Sequence, residues 1–95
     1  MAISVSVRFH NMLRHHTGIE QEAIVLPEGA LLLTALEDLA RRHGPGLGRM
    51  LFASEGVIST HLVIFRNQQL LPRAEGDVTL VDGDELLLFP AISGG

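Results

Sequence analysis

Cysteine is absent from this 95-residue chain, as are tryptophan, tyrosine and lysine. Without cysteine there can be no disulfide, no thiolate metal site and no thiol nucleophile. Without lysine, all basic charge falls to seven arginines, at positions 8, 14, 41, 42, 49, 66 and 73. The chain therefore cannot form a side-chain isopeptide bond with its own copies. Basic charge is also scarce: 7 basic residues face 11 acidic ones, for a net charge of −4. That argues against a nucleic-acid binder, which needs a basic face. No apolar run approaches the ~20 residues of a membrane span. No basic start precedes an apolar stretch, so no signal peptide is expected. These absences leave a small, acidic domain, expected in the cytoplasm. Hydrophobic residues make up 46% and charged residues 19%, which favours a folded core over disorder. A chain this short buries roughly 60–70% of its unfolded surface, enough for one core.

What is present reads as an α+β pattern. Ile3, Val5, Val7 and Phe9 alternate with Ser4, Ser6 and Arg8, the period of a half-buried strand. Asn11 to Gly18 lacks clean alternation and reads as a loop with room for one helical turn. Glu20 to Leu26 predicts a second strand, antiparallel to the first, ended by Pro27-Glu28-Gly29. Leu32, Ala35, Leu36, Leu39, Ala40 and His43 share one helical face, predicting a helix over 32–43. Thr34 and Glu37 match a capping box, and Gly44-Pro45-Gly46 stops the helix. Leu47 to Phe52 is expected as one further short turn, and Ala53 to Ser59 as a loop.

Thr60 to Arg66 predicts a strand rich in β-formers. Asn67-Gln68-Gln69 turns it into the short run Leu70-Leu71, stopped by Pro72. Val78 to Val81 leads into the turn Asp82-Gly83-Asp84. Glu85 to Phe89 is the last strand, and its four consecutive apolar residues mark a central position. One helix then crosses one face of a mixed sheet of four to five strands. With the first and last strands as central, parallel neighbours, this is the β-grasp arrangement, the fold of ubiquitin.

The expected body, residues 1–90, offers no catalytic constellation. His10, His15 and His16 cluster in sequence without a carboxylate at helical spacing, so they read as solvated loop residues rather than metal ligands. His43 reads as a tolerated edge residue. Asp82, Asp84 and Glu85 resemble paired carboxylates but are better explained as a wet turn tip. Gly44-x-Gly46-x-Gly48 follows a helix rather than a strand, unlike a phosphate loop. The last five residues are different. Ala91-Ile92-Ser93-Gly94-Gly95 follows Pro90 and is expected as a flexible tail reaching about 16–18 Å when extended. Two terminal glycines suit a narrow channel. Alternation along the last strand turns Leu87 and Phe89 away from the helix. Apolar side chains there, beside such a tail, predict a docking patch.

Leu80-Val81-Asp82-Gly83-Asp84-Glu85-Leu86, Phe89-Pro90 and the terminal Gly94-Gly95 together resemble the MoaD/ThiS family of ubiquitin-like sulfur carriers. Pro27-Glu28-Gly29-Ala30 and Asn67 also look like that family. The Leu13 to Gly18 loop and the long segment 44–59 are similar to its long-form, CysO-type members. Leu31 stands where the family often has Thr, and Ala91 follows Pro90 where many members have a second Pro.

The resemblance implies a carrier rather than an enzyme, with the Gly95 carboxylate as the reactive group and Gly94 beside it. It also implies that the residue matching Phe89 contacts partner enzymes. Leu87, Phe89, Pro90, Ala91, Ile92 and Ser93 form the implied partner-binding stretch. The implied partners are a ubiquitin-activating-like adenylyltransferase, which uses ATP, and a sulfur-accepting enzyme. That acceptor is either cysteine-synthase-like or the large subunit of molybdopterin synthase, whose small subunit this chain would then be. No cofactor or metal is expected on the chain. A ubiquitin-like modifier joined through Gly95 to target lysines is the alternative. A tail-independent binding module is the third reading.

Overall fold

A computed structural model describes residues 1–71 and 76–90. Strand β1 spans Ala2–Phe9 and pairs antiparallel with β2, Gln21–Pro27, in a register that sets Ala2 opposite Pro27. Helix α1, Met12–Thr17, lies between them. Helix α2, Leu32–His43, is followed at once by α3, Pro45–Leu51. A small hairpin, β3 Phe52–Ser54 and β4 Val57–Ile58, precedes β5, Leu62–Arg66, and β6, Gln69–Leu70. The last strand, β7, runs Glu85–Pro90. The main sheet has the order β2-β1-β7-β5-β6. Strand β7 is parallel to β1, with Ser6 opposite Glu85, and antiparallel to β5, with Leu62 opposite Pro90. This is the expected mixed sheet with its last strand in the centre.

One sheet face and the helices enclose the core. Val5, Val7, Phe9, Ile24, Ile64, Leu86 and Leu88 meet Leu32, Leu36 and Leu39 of α2, all essentially fully buried. Each such side chain stabilises the fold by roughly 1.5–3 kcal/mol relative to exposure. Leu13 of α1 and Leu47 and Leu51 of α3 are equally buried and close the core at its open end.

Several local expectations are corrected. Residues 12–17 form a helix rather than a loop: burial of Leu13 holds it, and Gly18 at φ 74 closes it with an N–H to the Arg14 carbonyl. Pro45 stops α2 and also opens α3, because its fixed φ and missing N–H suit a first helical position. Segment 53–59 is no loop; the Glu55-Gly56 turn, with Gly56 at φ 73, folds β3 onto β4. Thr34 is not the residue that begins α2. It is the third helical residue, and its hydroxyl accepts the Leu31 N–H at 3.3 Å. Residues 78–80 stitch onto the start of α2: Leu32 N–H reaches the Val78 carbonyl at 2.8 Å and Leu80 N–H the Ala30 carbonyl at 2.9 Å. Pro90 belongs to β7 instead of following it.

Candidate functional site

The sheet face away from α2 carries an apolar patch on its central and neighbouring strands. In β7, Leu86 and Leu88 point to the core, so Leu87 and Phe89 point outward and are half-buried. Opposite them in β5 stand Phe65 and Val63, both half-buried. Directly opposed residues of an antiparallel pair share a face. Leu70 of β6, opposite Phe65, extends the patch and is 53% exposed. The adjoining residues of β1, Ser4, Ser6 and Arg8, are polar. The contiguous apolar surface thus runs over β7, β5 and β6, while Val25 of β2, opposite Ser4, is an isolated exposed apolar residue on the same face.

Phe89 is fixed from two sides. The His10 ring stacks on it with centroids 4.2 Å apart and planes 7° from parallel. Phe65 meets it edge-on at 5.7 Å and 73°. His10 itself is tied to the strand end, since its N–H bonds the Leu88 carbonyl at 3.1 Å. Its Nε2 is buried without a hydrogen-bond partner among the described residues. His10 is therefore no solvated loop residue, as its sequence context had implied. It is an aromatic member of the patch. His15 and His16 sit exposed on α1. His43 is also more than a tolerated edge residue: its Nε2 bonds Glu22 at 2.5 Å, and its ring meets Phe9 edge-on.

The start of β7 is held by a buried carboxylate. Asp84 is 2% exposed. It accepts hydrogen bonds from Arg66 Nη2 at 2.9 Å, Asn67 Nδ2 at 2.9 Å and the Val81 N–H at 2.9 Å. Burial pushes its carboxyl up, but the Val81 N–H, the Asn67 amide and the Arg66 guanidinium outweigh burial and hold it below the ordinary aspartate value. Asn67, at φ 50, also accepts the Glu85 N–H at 2.9 Å. Asp82 accepts the Ser4 N–H at 2.7 Å, and Gly83, at φ 88, donates to the Ser4 carbonyl at 2.9 Å. The wet-tip reading of this turn is thus wrong for Asp84. The carboxylate is an internal clamp that lays β7 beside β1 and β5. Its sequence signal was available: an arginine and an asparagine close the strand that β7 joins.

The structure brings Leu87, Phe89 and Pro90 together at one sheet end. Ala91, Ile92, Ser93, Gly94 and Gly95 lie outside the described residues. Sequence reasoning missed Val63, Phe65, Leu70 and His10, whose partnership with Phe89 depends on strand register. Among the described residues, no group of three His, Asp or Glu is placed to hold a metal ion. No helix among them is long and apolar enough to cross a membrane.

The ThiS family profile matches residues 7–95. The chain belongs to the ThiS family. Several solved structures are similar to this ThiS-family chain. SAMP1 from Haloferax volcanii is 28% identical, with a TM-score of 0.83 over 97% of this chain and 99% of that one. A putative molybdopterin converting factor subunit 1 from Pyrococcus furiosus is 27% identical, with a TM-score of 0.76 over 95% and 99%. The BexX/CysO complex of Amycolatopsis orientalis contains a chain 26% identical, with a TM-score of 0.72 over 96% and 99%. No curated protein matches the chain. These neighbours establish a ubiquitin-like β-grasp fold of the MoaD/ThiS kind.

Proposed function

We propose that the chain is a sulfur carrier whose terminal Gly95 holds the sulfur as a thiocarboxylate. The observation that carries this reading is the apolar patch around Phe89, set where β7 leads into a sequence that ends in diglycine. The carboxylate of Gly95 is anionic at neutral pH and a poor electrophile. A ubiquitin-activating-like adenylyltransferase docks on Leu87 and Phe89 and receives residues Pro90 to Gly95. A Gly95 carboxylate oxygen attacks the α-phosphorus of ATP, and pyrophosphate leaves. Hydrosulfide, or an enzyme-bound equivalent of it, then attacks the acyl carbon, and AMP leaves with the bridging oxygen. The product is a thiocarboxylate, which gives its sulfur to an acceptor enzyme in the cytoplasm. The chain supplies no catalytic group and binds no cofactor of its own. With no cysteine, the terminal carboxyl is the place for sulfur.

The acceptor is an enzyme of cysteine or molybdopterin synthesis. Similarity to CysO and to a putative molybdopterin converting factor subunit supports each in turn. A second reading, conjugation through Gly95 to lysines of other proteins, is favoured by similarity to SAMP1, a small archaeal modifier protein. Both readings need the same activated tail.

Mass spectrometry of the intact chain separates them. After incubation with an activating enzyme, ATP and sulfide, a carrier becomes heavier by one sulfur-for-oxygen exchange at Gly95. A modifier instead appears in cells as high-mass adducts on blots against this chain. If neither species forms, the tail is not activated and the binding-module reading replaces both.

A further inference from the structure

Although the chain is acidic overall, its charge is segregated. Residues 8–19 and 39–54 contain no Asp or Glu, yet they hold five of the seven arginines and four of the five histidines. The fold packs these two stretches together. Helix α1 rests on α3, where Gly46 permits close approach: a Cβ there would stand 3.0 Å from His16 Nδ1. No acidic residue occupies the first turn of any of the three helices.

Part of this positive charge is used internally. Asp38 pairs with Arg41 and Arg42, and Glu22 with Arg42 and His43. Arg14 and Arg49 are exposed and make no ion pair among the described residues. His15 and His16 lie exposed beside them on α1, and Glu20 shares a shallow hollow with Arg14 and His15.

The position of this lobe matters more than its size. Strands β1 and β7 are parallel, and Phe9, the last residue of β1, stands opposite Leu88, two residues before Pro90. Helix α1, about 9 Å long, begins three residues after Phe9 and packs against β7. The lobe therefore flanks the end of the sheet at Pro90. Away from that end, Glu28 N–H bonds the Met1 carbonyl, Asp82 accepts the Ser4 N–H, and Glu85 begins β7. Although Glu20, Glu22 and Asp38 offset part of the positive charge at the Pro90 end, most of the arginines gather there rather than at the opposite end.

We propose that the α1–α3 lobe is a second docking element, which steers the Pro90 end of the molecule toward an acidic protein surface around the opening that receives the tail. The inference rests on the activated-tail reading above. Positive charge gathered at the Pro90 end turns that end forward during encounter and raises the association rate without adding buried contacts. A nucleic acid fits less well. Arg14 and Arg49 supply few phosphate contacts, the net charge of −4 repels a polyanion, and none of the four phenylalanines is fully exposed for base stacking.

The test uses the full chain and a ubiquitin-activating-like enzyme from the same genome, with association followed by stopped flow and conversion by intact mass. The double variant Arg14→Glu/Arg49→Glu is compared with Glu28→Arg, away from the Pro90 end. The expected result is an association rate about tenfold lower for the double variant. The native rate should also fall about tenfold between low and high salt. Conversion at saturating enzyme and the melting temperature should stay unchanged. Glu28→Arg should associate no more slowly than the native chain. If conversion proceeds but neither reversal nor salt changes the rate, the lobe has no steering role and the carrier reading stands. Binding of a single-stranded RNA oligonucleotide, lost in the double variant, would reassign the lobe to nucleic acid and overturn the proposal. If no conversion or binding occurs with the native chain, the activated-tail reading fails and the steering role falls with it.

Discussion

The ring of His10 lies 4.2 Å from the ring of Phe89 and only 7° from parallel to it. One residue directly follows β1 and the other stands next to last in β7, so the stack joins the ends of two central strands where the tail sequence begins. With Phe65 edge-on at the other side, Phe89 has little rotational freedom and presents a fixed apolar surface.

Phe89→Ala should therefore weaken binding of the activating enzyme by about 1–3 kcal/mol. The fold should survive, because Phe89 lies on the open face rather than in the core. Calorimetric titration alongside thermal unfolding checks both halves. Unchanged affinity would remove Phe89 from the interface.

His10→Phe should raise stability by about 1 kcal/mol, since it keeps the stack and removes a buried nitrogen that has no partner among the described residues. His10→Ala should lose the stack and lower affinity for the activating enzyme. Urea unfolding of the three proteins provides the measurement. A destabilised His10→Phe chain would mean that Nε2 makes a bond essential to the fold.

Asp84→Ala should cost about 2–4 kcal/mol, because it leaves the Arg66 guanidinium and the Asn67 amide without their acceptor. The pH dependence follows from the lowered carboxyl. A group whose pKa is lower folded than unfolded stabilises the fold above its unfolded value, near 3.9 for aspartate. That stability is lost as pH falls through the folded value. The native chain should weaken on acidification below about pH 4, and Asp84→Asn should lose less over the same interval. Parallel acid titrations of unfolding free energy would decide this; identical slopes would rule out Asp84 as a contributor.

Gly94→Ala adds a methyl where the receiving channel is expected to admit only backbone. It should slow thiocarboxylate formation while leaving the melting temperature unchanged. A one-residue extension beyond Gly95 should abolish formation, since it converts the reactive carboxylate into an amide. Time-resolved intact mass measurements follow both. Full conversion of an extended chain that cannot be trimmed would end the carrier reading.

The sheet was legible in sequence because its cause is local: alternation in Ile3 to Phe9, a helical stripe in Leu32 to His43, and an apolar run in Leu86 to Phe89. The short helices were less so. Six residues around Leu13 carry no complete helical stripe, and their helix exists because the core needs a plug at that end. The β3–β4 hairpin is similarly polar and brief, and Gly56 was its only turn signal. The patch was half visible. Alternation alone turned Leu87 and Phe89 outward, but Val63, Phe65, Leu70 and His10 join them only through register between strands distant in sequence. Asp84 was misread for the same reason, since the partners that bury it lie in another strand and its turn.

The place of β7 in the sheet has a mechanical consequence. Its residues are bonded on one side to β1 and on the other to β5, in opposite senses. A pull on Pro90 along the strand loads both ladders in shear at once, so their bonds must yield together rather than unzip singly. Because β7 also carries Leu86 and Leu88 into the core, extracting it means breaking the whole domain. Whatever grips the end of this chain holds a handle joined to its strongest member, and can drag the body behind it without fraying the joint.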